Sequence, residues 1–361
     1  LLADIARRQP AGTAGRCPRA WNRGLDVYFS HTQWVEGRWT APVGKTLYAV
    51  GDVHGHSAEL AALHAVIRGE IDRHAEMSHS VIHLGDYIDR GPDSKGVLDI
   101  LCGGIGRPVE QVFLLGNHDQ FLIELIEMNP TLDARFVESW FDNGGADTML
   151  SLGVCGYGAF LTDDDVASLR LQVLVALGPR LVDFLRRLSL CHRSGEYLFV
   201  HAGIDPSVPL ELQEFSDLLM IRKPFLGAAD RWRQPFCVVH GHSIELPRLH
   251  PHRIGVDAGC FVNGVLCAVQ LRGHSVRFLA VTPEPDFPWD LVMGGEDDFW
   301  HWAAPQQVWS ADAALPAVID SGFGSDGLPS LPAVIARGAP TESLLDPLPA
   351  RVGLFAGRRR S

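Results

Sequence analysis

Three short stretches of this chain end alike. "LYAVGDVHG" (47–55) runs apolar to Gly51, then presents Asp52 and His54. "VIHLGDYIDRG" (81–91) runs to Gly85, then presents Asp86, Asp89 and Arg90. "VFLLGNHD" (112–119) runs to Gly116, then presents Asn117, His118 and Asp119. Two later apolar runs end in histidine, "YLFVHAG" at His201 and "CVVHGHS" at His240 and His242. Taken together, Asp52, His54, Asp86, Asn117, His201 and His242 offer carboxylate, amide and imidazole donors. Such a mixture suits Mn²⁺, Fe or Zn²⁺ better than Ca²⁺, which takes oxygen ligands. Six ligands exceed the four of a structural tetrahedral zinc. If one carboxylate bridges, two ions ~3.5–4 Å apart can be held. A bridging hydroxide is then the nucleophile, and Asp86 is the central choice for the bridge.

The remaining polar residues fit around that centre. The planar fork of Arg90 suits bidentate capture of a tetrahedral oxyanion. His118 adjoins Asn117 and changes charge near neutral pH, so it can protonate a departing alkoxide, with Asp89 orienting it. A single Asp or His after a strand is ordinarily a turn residue, and the reading rests on the ordered set. His240 lies on the strand side of Gly241 and reads as a hydrogen-bonded core histidine. His56 reads as an exposed residue at a helix start.

Elements must bring these residues together. The folded domain is expected over 44–282, with strands at 46–50, 81–84, 111–115, 196–200, 236–239, 253–257, 265–271 and 275–281. Leu60, Leu63, Ile67 and Ile71 share one face of a helix over 57–71, with Ser57 as its N-cap. Phe121, Leu122, Leu125 and Ile126 do the same over 118–128, and 163–190 reads as a longer helical insertion. From 253 onward, strands without intervening helices suggest antiparallel pairing. Open α/β sheets bind ligands at the carboxyl ends of their strands, where all five polar clusters lie. Gly51, Gly85 and Gly116 allow sharp turns there, and the helix N-termini that follow favour an anionic substrate.

The 361 residues are 46% hydrophobic, with a formal net charge of -12. That balance argues against a general nucleic-acid surface, which needs clustered Lys and Arg. No apolar run approaches ~18 residues, so no membrane-spanning helix and no membrane partner are expected. Seven cysteines without a C-x-x-C pair suggest reduced thiols and a cytoplasmic location. Residues 1–43 carry six arginines against three acidic residues and read as a weakly ordered arm. Residues 283–361 are rich in Pro, Ala and Gly and read as a largely disordered or loosely packed extension. "APVGKT" (41–46) lacks the first glycine of a phosphate-binding P-loop, because Trp39 stands at that position.

"GDVHG" (51–55), "GDYIDRG" (85–91) and "GNHD" (116–119) resemble, in order, the three signature motifs of the phosphoprotein phosphatase family of metallophosphatases. "HAG" (201–203), "GHS" (241–243) and "VDAGCFVNGVLCAVQL" (256–271) extend the likeness. "NGGADTMLSLGV" (143–154) and "LLMIRKPFL" (218–226) are similar to the bacterial serine/threonine phosphatase branch. The resemblance implies an α/β fold, a four-layer βαβα sandwich of the calcineurin-like metallophosphoesterase kind, with a dinuclear metal site at strand C-termini. It implies Asp52, His54 and Asp86 on the first metal, and Asp86, Asn117, His201 and His242 on the second, with Mn²⁺ the leading choice over Fe or Zn. It further implies His118 as general acid with Asp89 as its partner, and Arg90 and Arg222 as phosphate-binding residues. Asp119, where the eukaryotic enzymes carry Glu, and "HAG" depart toward bacterial and nucleotide-cleaving relatives. The function expected is a metal-dependent phosphomonoesterase, a serine/threonine protein phosphatase acting on phosphorylated protein without a phosphoenzyme. The rivals are a symmetrical bis(5'-nucleosyl)-tetraphosphatase and, from another class, an inactive phosphatase-like binding module.

Overall fold

The computed structural model describes residues 27–127, 132–154 and 161–283, together with the strand at 306–309. In chain order the strands are β1 (Val27–His31), β2 (Val35–Glu36), β3 (Lys45–Val50), β4 (Ser78–His83), β5 (Glu110–Phe113), β6 (Cys191–Ser194), β7 (Tyr197–Val200), β8 (Cys237–His240), β9 (Arg248–Leu249), β10 (Arg253–Gly255), β11 (Leu266–Arg272), β12 (Ser275–Thr282) and β13 (Gln306–Trp309). The helices are α1 (Ser57–Arg73), α2 (Ser94–Gly103), α3 (Asn117–Glu127), α4 (Ala134–Trp140), α5 (Ala146–Ser151), α6 (Asp163–Arg186), α7 (Phe215–Met220), α8 (Lys223–Leu226) and α9 (Cys260–Asn263).

They form two sheets. The larger has the order β13-β1-β12-β11-β3-β4-β5, with β2 also on β12; the smaller has the order β6-β7-β8-β10-β9. β3, β4 and β5 run parallel, as do β7, β8 and β10, while the β11–β12 hairpin is antiparallel. Strand side chains alternate between faces, and in β3 that alternation divides the core. Leu47 and Ala49 pack toward Tyr197 and Phe199 of the second sheet, whereas Tyr48 and Val50 pack toward Leu60, Leu63 and Ile67 of α1. On the second sheet, Leu198 and Val200 turn the other way, onto Leu218 and Phe225. Because both faces are covered, such strands read as continuous apolar runs. The expected α/β fold of two sheets and helices is therefore present. Its layers, a helical layer, two facing sheets and a second helical layer, make up the four-layer sandwich expected.

Several boundaries differ from expectation. The segment 27–43 is no loose arm: β1 pairs with β12 and β13, and Val27 is fully buried. Its apolar residues are too few to announce a strand, and β12 supplies the missing partner. Residues 1–26 lie outside the described part, as do 284–305 and 310–361 of the extension. β10 pairs parallel with β8 instead of joining an antiparallel run, because the chain crosses to the larger sheet between β10 and β11. The N-cap of α1 is His56, not Ser57, whose hydroxyl instead donates to Asp93 at 2.5 Å. α6 is broken at Gly178 (φ 67°), followed by Pro179, which has no N–H to continue the ladder.

Candidate metal centre

Every polar cluster named from the sequence lies beyond a strand's carboxyl end: Asp52 after β3, Asp86 after β4, Asn117 after β5, His201 after β7 and His242 after β8. The five strands belong to both sheets, so the centre sits where the sheets meet. The backbone pays a conformational cost there. His54 (φ 45°), Asp86 (53°), Asp89 (71°), Arg90 (66°) and His242 (63°) are the left-handed non-glycine residues among those described. Each such residue costs roughly 1–3 kcal/mol, a strain that typically collects at functional sites. Of the three glycines expected to turn the chain, only Gly85 has positive φ (101°). Gly116 serves differently: a Cβ there would lie 2.2 Å from Asp86 Oδ1, and one on Gly241 would lie 2.0 Å from Asp52 Oδ1. Both glycines leave room for a carboxylate.

The donor atoms converge. Asp86 Oδ2 lies 3.5 Å from His54 Nε2, and its Oδ1 lies 3.5 Å from His201 Nε2. One carboxylate thus turns an oxygen to each side. Asn117 Oδ1 is 3.0 Å from His201 Nε2 and 2.8 Å from His242 Nδ1. The distal ring nitrogens are anchored, His54 Nδ1 on the Ile88 carbonyl and His201 Nδ1 on the Leu84 carbonyl, both at 2.8 Å. Such anchoring fixes tautomer and ring direction in metal sites. Donor atoms of Asp86, His54 and His118 lie within 4.8 Å of one another, as do those of Asp86, His201 and His242. Asp52 holds the His242 backbone N–H with Oδ2 at 2.9 Å, while its Oδ1 is buried without a partner.

The electrostatics ask for a cation. Burial, then Asp257 and Asp86, push the Asp52 carboxyl well above its usual range. Burial also opposes charge on Asp86, yet His201, His118 and His54 hold it well below the usual range. Burial pushes His54 and His242 down to about 3, so both imidazoles are neutral at neutral pH, the form that donates a lone pair. An orphaned carboxylate oxygen, two neutral imidazoles and crowded acids fit divalent metal ions. No ion is part of the structure.

Beside the donors stands a second buried constellation. Asp89 is fully buried, and its Oδ2 accepts from His118 Nδ1 and Trp140 Nε1, both at 2.8 Å. Its Oδ1 accepts from Thr148 Oγ1 at 2.7 Å, and its backbone N–H faces Thr148 and Ser94 hydroxyls. Trp140 and Thr148 flank a π-helical turn, Phe141–Gly145. Sequence reading gave neither a role, although Thr148 closes the quoted stretch "NGGADT" (143–148). Asp119 is a clamp rather than a donor to the centre: its carboxylate accepts from the backbone N–H groups of Asp86, Tyr87 and Gly116 at 2.8, 2.9 and 3.0 Å. Arg90 NH1 lies 3.2 Å from His54 Nε2. Arg222 stands further out, donating to Ser243 Oγ at 3.2 Å. His240 is the core histidine expected, fully buried between Arg253 and the Phe225 ring. His56 is half-buried, its Nδ1 on the His54 carbonyl at 2.7 Å.

Residues 45–278 match the calcineurin-like phosphoesterase family, and the chain belongs to it. Its curated relatives include the symmetrical bis(5'-nucleosyl)-tetraphosphatase of Nitrosospira multiformis, 29% identical over 170 residues. That alignment covers 46% of this chain and 46% of the relative, so the chain spans about half the relative's length. The symmetrical enzyme of Legionella pneumophila subsp. pneumophila is 27% identical over 276 residues, covering 71% of this chain and 83% of that protein. An asymmetrical bis(5'-nucleosyl)-tetraphosphatase of Geobacillus thermodenitrificans is 22% identical over 242 residues, covering 61% and 88%. No helix among the described residues is long and apolar enough to cross a membrane.

Proposed function

We propose that this chain is a metal-dependent phosphohydrolase whose substrate is a bis(5'-nucleosyl) tetraphosphate. The observation that carries the hydrolase reading is Asp86, one carboxylate facing two donor clusters at 3.5 Å each. The substrate reading is supported by the names of the relatives, and it replaces phosphorylated protein as the first choice. Asp52, His54 and Asp86 would hold one ion, and Asp86, Asn117, His201 and His242 the other. When bound, the pair supplies Lewis acidity and an activated water for attack on phosphorus. The chain does the rest. Arg90 receives the phosphoryl oxygens, where charge concentrates during transfer, and Arg222 extends the positive rim. His118 gives its proton to the leaving oxygen, with Asp89 holding the ring through Nδ1. Trp140 and Thr148 hold Asp89 in turn, so the acid pair is aligned before substrate arrives.

A second reading, the serine/threonine phosphomonoesterase, is favoured by that same acid pair. A serine or threonine alkoxide is a far poorer leaving group than an anhydride oxygen and needs the proton more. Mn²⁺-loaded protein given diadenosine tetraphosphate and phosphothreonine peptide side by side, with EDTA controls, decides between them. The expected result is at least about tenfold higher kcat/KM on the dinucleotide, roughly 1.4 kcal/mol of transition-state preference. Two ADP would report symmetrical cleavage; ATP plus AMP would report asymmetrical cleavage. Preference for the peptide overturns the first reading in favour of the second. Turnover of neither, with metal bound, overturns both and leaves the binding module.

A further inference from the structure

Arg90 occupies its place against its backbone preference. It follows Asp89, and both residues are left-handed. Its backbone N–H reaches the Gly144 carbonyl at 3.3 Å, and a Cβ on Gly144 would lie 2.7 Å from Arg90 Cγ. The stem is thus fixed by the π-helical turn. A fixed stem does not aim a guanidinium, because the outer torsions of arginine turn freely in solvent. Here the group sits over an aromatic ring: its central carbon is 4.4 Å from the centroid of Phe261. The same ring meets His54 edge-on, with centroids 5.0 Å apart.

Phe261 sits in a tightly turned segment. It lies on α9, a single turn bounded by left-handed Gly259 (φ 78°) and Gly264 (φ 75°). The Gly259 N–H is tied to Asp257 Oδ1 at 2.9 Å. Stacking on an aromatic face holds a guanidinium by its plane and leaves the in-plane N–H donors at its rim. One of those donors, NH1, lies 3.2 Å from His54 Nε2, at the edge of the first donor cluster.

We propose that Phe261 is the positioning residue for Arg90, setting the plane of the guanidinium so that its donors point into the metal centre at a bound phosphoryl group. The proposal rests on the reading of Arg90 as a phosphate-binding residue, but not on the identity of the natural substrate.

The test uses full-length, Mn²⁺-loaded protein and two probes, inorganic phosphate titrated by calorimetry and diadenosine tetraphosphate followed kinetically. The variants are Phe261→Leu, which keeps apolar bulk without the ring, Phe261→Tyr, which keeps the ring, Arg90→Ala, and Arg90→Ala with Phe261→Leu. Phe261→Leu is expected to weaken phosphate binding by about 2- to 30-fold, the range of a cation–π contact. It should lower kcat/KM by at least a similar factor, with metal content held within about twofold. Phe261→Tyr should remain within about twofold of the parent. With Arg90 already removed, Phe261→Leu should cost nothing further, since coupled residues are not additive. Equal losses from Phe261→Leu with and without Arg90 would overturn the proposal. So would a loss on the dinucleotide with phosphate affinity intact, which would make Phe261 a nucleoside contact. If the parent hydrolyses no dinucleotide, the substrate reading fails while the phosphate titration still decides the role of Phe261.

Discussion

Asp86 and His118 are neighbours with separable roles, and their variants should fail differently. Asp86 presents one oxygen to each donor cluster, so Asp86→Asn removes the negative charge that both clusters share and one of the two oxygens. Metal content measured on purified protein should fall for both ions, and turnover should drop more than about 100-fold, beyond the loss typical of an outer-shell partner. His118→Asn should retain metal. Its effect should depend on the leaving group, because a general acid contributes roughly 10²–10⁴-fold where the leaving oxygen is basic. The loss should approach that range on phosphothreonine peptide and stay within about tenfold on diadenosine tetraphosphate. Equal losses on both substrates would remove His118 from the acid role and leave it as a positioning or binding residue.

At the scale of elements, the interface between β4 and α1 carries buried histidines that set acid stability. His83 is fully buried, stacked on Phe113, with its Nε2 2.9 Å from His64 Nε2. Burial pushes His83 down to about 3 and holds His64 well below its usual range. The unfolded imidazole titrates near ~6.5. Below that pH the unfolded state binds the proton and the folded state does not, so stability is present above ~6.5 and is lost as pH falls toward 3. At pH 5 the His83 contribution to that loss is about 2 kcal/mol, from ~1.5 pH units at 1.36 kcal/mol each. In His83→Gln, the fall in unfolding free energy between pH 7 and pH 5, measured by urea denaturation, should shrink by about that amount. Parallel curves for the two proteins would mean that His83 already carries a proton when folded.

The same interface explains how much of the fold was legible. All eight strands expected from the sequence exist, because sheets covered on both faces demand uninterrupted apolar runs such as "LYAV" and "YLFV". β6 ("CHRS") and β9 ("RL") were missed. They are short and polar, and their partners rather than their own residues make them strands. The candidate metal donors were legible because each sits within a few residues of a strand end. Trp140 and Thr148 were not, since they act on Asp89 across 51 and 59 residues. Nor was Gly241, whose value is the space it leaves for Asp52, a residue of the other sheet.

The whole molecule is joined at the same place. β3, β4 and β5 deliver Asp52, His54, Asp86 and Asn117 from one sheet, while β7 and β8 deliver His201 and His242 from the other. Between them the two sheets are held by an apolar layer that includes Leu47, Ile82, Phe199 and Val239. Ions bound across that seam bind the folded chain and not the unfolded one, so they must stabilise the whole domain by linkage. At free metal one hundred times Kd, that stabilisation is ~2.7 kcal/mol per site. For a domain of this size, each kcal/mol moves Tm by roughly 2–4 °C, so EDTA should lower Tm by about 5–10 °C for a single site and more for two. Calorimetry with and without chelator, followed by added Mn²⁺, reads this directly, and Mn²⁺ should restore the lost degrees. His242→Ala removes a donor from the second sheet alone. Its Tm should therefore respond less to EDTA than that of the parent, while retaining the share due to Asp52, His54 and Asp86. A His242→Ala protein with an undiminished response to chelator would remove His242 from the ligand set and leave His201 as the second sheet's hold on the ions.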